Sequence, residues 1–215
     1  MVVEDQPRQL KALVKLLASA PGLVVAAAAQ SGEEALARLA APWPQGAPDV
    51  VLMDLELPGK DGVETTRELK LRPAAPDVLV LTSFEDEERV FQAMRAGASG
   101  YLVKGAAPSR LFAAIADVAA GGTVVEPRLA RRFWLLFRGE EPAAGVTGDA
   151  GTLTEPELEV LRMVAKGLSN AEVAHALGTE RRSVRTVLGH VYDKLGARSH
   201  VEAVVIAVRR GLVRT

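Results

Sequence analysis

Four short apolar runs punctuate the first half of the chain: Leu23–Ala27 (LVVAA), Val50–Met53 (VVLM), Val78–Leu81 (VLVL) and Tyr101–Val103 (YLV). Each is continuous rather than alternating, and each is bounded by polar or turn residues. Continuous apolar strands suit a parallel sheet covered on both faces, because neither face meets water. The stretches between them carry helical spacing. Leu10, Leu13, Val14 and Leu17 repeat as i, i+3, i+4, i+7, and Ala35, Leu36 and Leu39 follow Ser31. Ser31 and Glu34 form the pattern of a capping box. Further helical patterns run near 61–71, 86–96 and 108–120. Strand–helix alternation of this kind predicts a doubly wound α/β sheet. Met1–Val3 supply the first strand, which is short for the middle of a sheet.

Composition excludes several function classes. The 215 residues contain no Cys, which removes disulfides, thiolate zinc sites and a cysteine nucleophile. The three His residues (His175, His190, His200) are too scattered for a metal cluster. No apolar run reaches the length of a membrane span, about 18 residues. No basic region opens the chain, so no secretory signal is expected and a soluble, cytoplasmic protein is the default. Charge is uneven beneath a net value of −1. Residues 1–125 hold 12 Lys and Arg against 16 Asp and Glu, whereas residues 151–215 hold 10 against 7. An acidic front and a basic tail predict two modules with different partners.

The tail changes character. Residues 127–138 (PRLARRFWLLFR) read as an amphipathic helix, and residues 139–152, rich in Gly, Pro and Ala, read as a linker. Beyond them, Thr154/Glu157, Ser169/Glu172 and Ser199/Glu202 are three capping-box patterns, each opening a helical apolar pattern. A fourth helix fits between Thr179 and Leu195, with Val184, Val187, Leu188, Val191 and Leu195 on one face. A compact four-helix module of about 60 residues is expected.

Polar residues follow the apolar runs. Glu4 and Asp5 follow Met1–Val3, Asp54 follows Val50–Met53, Thr82 follows Val78–Leu81 and Lys104 follows Tyr101–Val103. Ligands of an open parallel sheet bind outside the carboxyl ends of its strands, so these residues should converge at one edge. Three clustered carboxylates repel one another unless a hard cation neutralises them. Mg²⁺, which takes oxygen ligands, suits the set. A carboxylate can also act as a nucleophile toward phosphorus, and Asp54, central among the strand ends, is the natural candidate. Lys104 and the Thr82 hydroxyl would stabilise the moving phosphoryl oxygens.

With these residues in place, residues 1–121 resemble the receiver domain of bacterial two-component response regulators. The resemblance rests on Glu4-Asp5, on Asp54-Leu-Glu-Leu-Pro58-Gly59-Lys-Asp-Gly62, on Thr82 and on Lys104. It implies a flavodoxin-like five-stranded parallel sheet, with Asp54 as phosphoacceptor. It also implies Mg²⁺ held by Asp5 and Asp54, by Glu4 through water, and by the main-chain carbonyl of Glu56. Tyr101 matches the aromatic switch position. Residues 152–215 resemble the LuxR-type helix-turn-helix of the NarL/FixJ class. Here the match is Leu153-Thr154-x-x-Glu157-x-Glu159-Val160-Leu161, Gly167-Leu168-Ser169-Asn170-x-Glu172-Val173-Ala174, Val184-Arg185 and Lys194-Leu195-Gly196. Residues 122–151 would be a connecting helix and linker.

A helix-turn-helix lays its second helix in the major groove. Opposite the apolar stripe of that helix lie Arg181, Arg182, Arg185, Thr186, Gly189 and His190. By family position Arg185, Thr186 and Gly189 face the groove, Asn170 lies near the DNA backbone, and Lys194 belongs to the same set. Gly189 stands where a long or polar residue is usual; it removes one reader and costs a helix about 1 kcal/mol against alanine. The helix at 199–211, apolar on Val201, Val204, Val205 and Val208, matches the family's dimer contact. The implied function is a phosphorylation-controlled transcription regulator, not an enzyme. Its partners would be a sensor histidine kinase, double-stranded DNA and a second copy of the chain, the dimer being promoted by phosphorylation. Two rivals stand beside it. An aspartate-nucleophile phosphatase is disfavoured, because there is no substrate lid and no Asp two residues after Asp54. A phosphorylation-independent DNA-binding protein with a receiver scaffold is opposed by the complete set of acids, Thr and Lys.

Overall fold

The computed structural model describes residues 1–43, 46–72, 75–83, 87–124, 153–166, 168–197 and 200–213. These fall into two compact units, Met1–Ala119 and Ala120–Thr215. The helix expected over 127–138 and the linker over 139–152 lie outside the described residues.

In the first unit, strands and helices alternate as β1 (Val2–Val3), α1 (Pro7–Ala18), β2 (Ala28–Ala29), α2 (Gly32–Ala40), β3 (Val50–Asp54), α3 (Gly62–Lys70), β4 (Asp77–Thr82), α4 (Glu87–Arg95), β5 (Gly100–Val103) and α5 (Pro108–Ala119). The sheet order is β2-β1-β3-β4-β5, with every pairing parallel. Val51, Leu52 and Met53 of β3 and Val78, Leu79 and Val80 of β4 are at most 3% exposed, which explains their unbroken apolar runs. The fold expected from the sequence is therefore the fold observed.

The second strand departs from expectation. It forms at Ala28–Ala29 rather than over Leu23–Ala27, and Val24 is 85% exposed. β2 lies at the sheet edge, paired with β1, and β1 has only two residues to offer, in the register Val2↔Ala28 and Val3↔Ala29. The partner, not the apolar run, sets the length of the ladder. The α2 cap is also altered. Ser31 Oγ accepts from the Glu34 N–H at 3.2 Å, but the Glu34 carboxylate turns to the Gln30 N–H at 2.8 Å and to Arg38. At the start of α3, Asp61 Oδ1 accepts from the Glu64 N–H at 2.8 Å and fixes the first turn.

The second unit contains α6 (Glu155–Ala165), α7 (Asn170–Ala176), α8 (Arg181–Leu195) and α9 (His200–Arg209) among its described residues. The capping boxes at Thr154/Glu157 and Ser169/Glu172 both form. Ser199 of the third lies outside the described residues. Val184, Leu188, Val191 and Leu195 form the buried stripe of α8, as their spacing predicts. Val184 and Leu188 pack with Val160, Val164, Val173 and Ala174, while Val191 and Leu195 pack with Leu161, Ala203 and Ile206. Burying each such side chain stabilises the unit by about 1.5–3 kcal/mol. Val187 is only partly buried. No described helix is long and apolar enough to cross a membrane.

Candidate functional site

The parallel sheet brings the carboxyl ends of β1, β3, β4 and β5 to one edge. Glu4 and Asp5 follow β1, Asp54 ends β3, Thr82 ends β4 and Lys104 follows β5. The expected convergence is observed. Carboxylate oxygens of Glu4, Asp5 and Asp54 all lie within 4.8 Å of one another. Glu4 and Asp54 are each 2% exposed, and Thr82 5%. Lys104 Nζ lies 2.6 Å from Asp54 Oδ2 and 3.0 Å from Glu4 Oε2, bridging two buried carboxylates. The Lys104 N–H donates to the Thr82 carbonyl at 2.7 Å, which places the two residues side by side. Thr82 Oγ1 donates to the Ser83 carbonyl at 3.2 Å. Tyr101 is 2% exposed within β5.

Electrostatics follow from this packing. Burial raises the Glu4 carboxyl above its usual range; the hydrogen bond with Lys104 opposes the shift and the Asp54 charge adds to it. Burial works against the Lys104 ammonium, but its hydrogen bonds to Asp54 and Glu4 outweigh that effect and hold its pKa above the ordinary lysine value. Lys104 therefore stays charged beside the acids. Three convergent carboxylates, two of them buried, make a hard oxygen donor set that fits a Mg²⁺ ion.

The loop after Asp54 is held from two sides. Glu33 of α2 accepts from the Lys60 N–H at 2.9 Å. Arg89 of α4 donates from Nη2 to the Leu55 carbonyl at 2.8 Å. Gly62 sits where a Cβ would lie 2.0 Å from the Asp54 carbonyl oxygen. The sequence reading missed Arg89 and Glu33. Their contacts span 34 and 27 residues, and no local spacing signals them.

On α8, Arg181, Arg182, Thr186 and His190 are exposed, and Arg185 and Gly189 are partly so. A Cβ added at Gly189 would meet nothing within 4 Å. Arg182, Arg185, Thr186, Gly189 and His190 lie on the side of α8 away from the buried stripe, whereas Arg181, three residues before Val184 and seven before Leu188, lies at the start of the helix on the stripe's own side. The two other members of the expected set lie at the start of α7 and near the end of α8. Asn170 is the first residue of α7, directly after its N-cap Ser169. Lys194 Nζ is held by Glu157 Oε2 at 2.7 Å, so it ties the end of α8 to the cap of α6. On α9, Val204 packs partly inward and Val208 is 37% exposed; the side chains of Val201 and Val205 lie outside the described residues.

The Lys194 contact carries a stability prediction. The Lys194 hydrogen bond, with the Thr154 N–H, holds the Glu157 carboxyl below its usual range. A lowered native pKa stabilises the folded form above the unfolded value and loses that contribution as pH falls through the native one. The second unit should therefore lose stability as pH drops below about 4, the usual carboxylate range. Glu157→Gln should remove that part of the acid sensitivity. Denaturant titrations at neutral and acidic pH check this, and an unchanged pH profile in Glu157→Gln would contradict it.

Comparison with known proteins agrees with both halves. Residues 1–116 match the response regulator receiver domain, and residues 151–207 match the bacterial regulatory proteins of the luxR family. The chain is 31% identical over 217 residues to the transcriptional regulatory protein LnrK of Bacillus subtilis, covering 99% of this chain and 97% of that one. It is 32% identical to the DNA-binding transcriptional activator DevR/DosR of Mycobacterium tuberculosis, covering 96% and 92%. Among solved structures, the response regulator ChrA of a heme-sensing two-component system aligns with TM-score 0.51 and 32% identity, over 99% of this chain and 96% of that one. With a receiver fold, its acidic edge and a LuxR-type helix-turn-helix in one chain, the protein belongs to the response regulators that control transcription.

Proposed function

We propose that Asp54 accepts a phosphoryl group from a phosphohistidine of a sensor histidine kinase, and that this modification controls DNA binding by α8. The observation that carries the reading is the Lys104 ammonium 2.6 Å from Asp54 Oδ2, beside two further carboxylates. In the transfer, an Asp54 carboxylate oxygen forms a bond to phosphorus as the phosphorus–nitrogen bond of the donor breaks. The imidazole nitrogen keeps the electron pair. Glu4, Asp5, Asp54 and the Glu56 carbonyl would hold Mg²⁺, which when bound neutralises charge on the phosphoryl oxygens. Lys104 supplies a fixed positive charge to the same oxygens, and the Thr82 hydroxyl supplies a donor. The product carries about −1.5 to −2 added charge. Thr82 is drawn toward it, Lys104 keeps its place beside it, and Tyr101, already buried in β5, is held inward with them. That shift favours a homodimer, and two copies of α8 then meet two half-sites. Asp54 thus serves as a regulatory acceptor rather than as the nucleophile of a turnover enzyme.

On the DNA side, Arg185 lies one turn into α8 and is assigned to base edges, while Arg181 and Arg182 at its start are assigned to phosphates. Arg182→Ala should weaken binding to all sequences about equally and flatten the salt dependence by about one unit. Arg185→Ala should cost about 1–3 kcal/mol and relax preference at one base position. Selection from a random DNA pool, followed by titrations at several salt concentrations, separates the two. Equal affinity of wild type and Arg185→Ala across the selected sites would overturn the groove assignment.

A further inference from the structure

We propose that Arg89 is a positioning residue for Asp54, acting through the Leu55–Glu56 peptide unit; the inference rests on the reading of Asp54 as phosphoacceptor. That peptide is engaged at both ends. Its carbonyl oxygen, on Leu55, accepts from Arg89 Nη2 at 2.8 Å and from the Gly62 N–H at 3.1 Å. Its N–H, on Glu56, donates to Asp54 Oδ1 at 3.2 Å. One planar group therefore connects a guanidinium on α4 to the carboxylate that is to be phosphorylated. Because Oδ2 is taken by Lys104, the Glu56 N–H is what fixes the other oxygen and hence the plane of the carboxylate.

The physical effect has two parts. A peptide unit is rigid, so a donor that pins its oxygen also aims its N–H. A positive charge on the carbonyl oxygen polarises the group and strengthens the N–H as a donor, because hydrogen bonds in a chain reinforce one another. Arg89 also reaches Asp61. Its Nη2 lies 3.4 Å from Asp61 Oδ2, and the other oxygen of Asp61 caps α3 through the Glu64 N–H. Both contacts run through the same nitrogen, Nη2. The Arg89–Asp61 pair is partly exposed and long, so on its own it contributes little. The shorter bond to the Leu55 carbonyl is the one that bears on Asp54.

The test labels the full chain with acetyl phosphate and Mg²⁺, and records the Glu56 amide resonance by NMR without either. Arg89→Met should lower the maximal labelling rate about tenfold, the effect of one charged hydrogen bond. The acetyl phosphate concentration giving half the maximal rate should stay the same. The Glu56 amide proton should move upfield as its bond to Asp54 weakens, a signature that a general loss of helix packing would not single out. Arg89→Lys, which keeps a charged donor, should recover most of the rate. Asp61→Asn, which can still cap α3, should stay within about twofold of wild type. Should Arg89→Met fail to fold, Arg89→Gln makes the same comparison. If wild type labels at Asp54 but Arg89→Met labels equally fast, or leaves the Glu56 resonance in place, the positioning role is overturned. If wild type does not label at Asp54, the phosphoacceptor reading itself fails.

Discussion

Asp54→Asn is expected to abolish hydroxylamine-sensitive phosphorylation of the chain while leaving it folded. An amide oxygen is a poor nucleophile toward phosphorus, and it carries no charge for a cation. The substitution is nearly isosteric, however, and the amide oxygen can still accept from Lys104 or from the Glu56 N–H, the two donors on the native carboxylate. It also removes one of three mutually repelling negative charges. Loss of labelling should therefore come without loss of stability, and denaturant unfolding should give the same free energy or a slightly higher one. Incubation with acetyl phosphate and Mg²⁺, followed by mass spectrometry, reads the first outcome. Undiminished labelling of Asp54→Asn would place the acceptor elsewhere.

Gly62→Ala and Gly189→Ala are expected to change stability in opposite directions, although both exchange the same residue within a helix. At Gly62 the new Cβ would lie 2.0 Å from the Asp54 carbonyl oxygen and 2.7 Å from Leu55 Cα. Those are backbone atoms of the strand end, and they cannot rotate aside as a side chain would. Relief requires the start of α3 to move away from β3, breaking the 3.1 Å bond from the Gly62 N–H to the Leu55 carbonyl. The cost should reach about 3 kcal/mol, the upper part of the usual range for overpacking. Labelling of Asp54 should fall with it, because the displaced backbone carries that carboxylate. At Gly189 the Cβ meets nothing within 4 Å, and alanine should stabilise the helix by about 1 kcal/mol. Denaturant unfolding of the two variants side by side checks both signs. A neutral Gly62→Ala would show that the strand end yields more easily than its packing indicates.

Much of the fold was legible because buried parallel strands leave an unambiguous mark. β3 and β4 are covered on both faces, so Val51 to Met53 and Val78 to Val80 form unbroken apolar runs. The acidic edge was legible for a related reason. Asp54 and Thr82 end their strands and Lys104 follows one, and parallel topology alone then brings them together. β2 was misplaced because an edge strand owes its extent to its partner. The apolar content of Leu23–Ala27 says nothing of how short β1 is. The motif gives Lys194 as a DNA contact and does not show its ion pair. Its partner, Glu157, lies 37 residues away and enters only through the packing of α8 on α6. Arg89 escaped for the same reason: on α4 it reads as a solvated charge until the loop after Asp54 folds beneath it. What the sequence hides in each case is a contact between distant segments.

The central claim is that a phosphoryl group on Asp54 governs DNA binding by the helix-turn-helix. The most direct measurement titrates a DNA site selected from a random pool with wild type and Asp54→Asn, each before and after treatment with acetyl phosphate and Mg²⁺. Coupling between two sites of one protein is commonly about 1–3 kcal/mol, so wild-type affinity should rise about tenfold or more on treatment, and Asp54→Asn should not respond. Equal affinity of the phosphorylated and unphosphorylated wild type, at a confirmed stoichiometry of label on Asp54, would contradict the account.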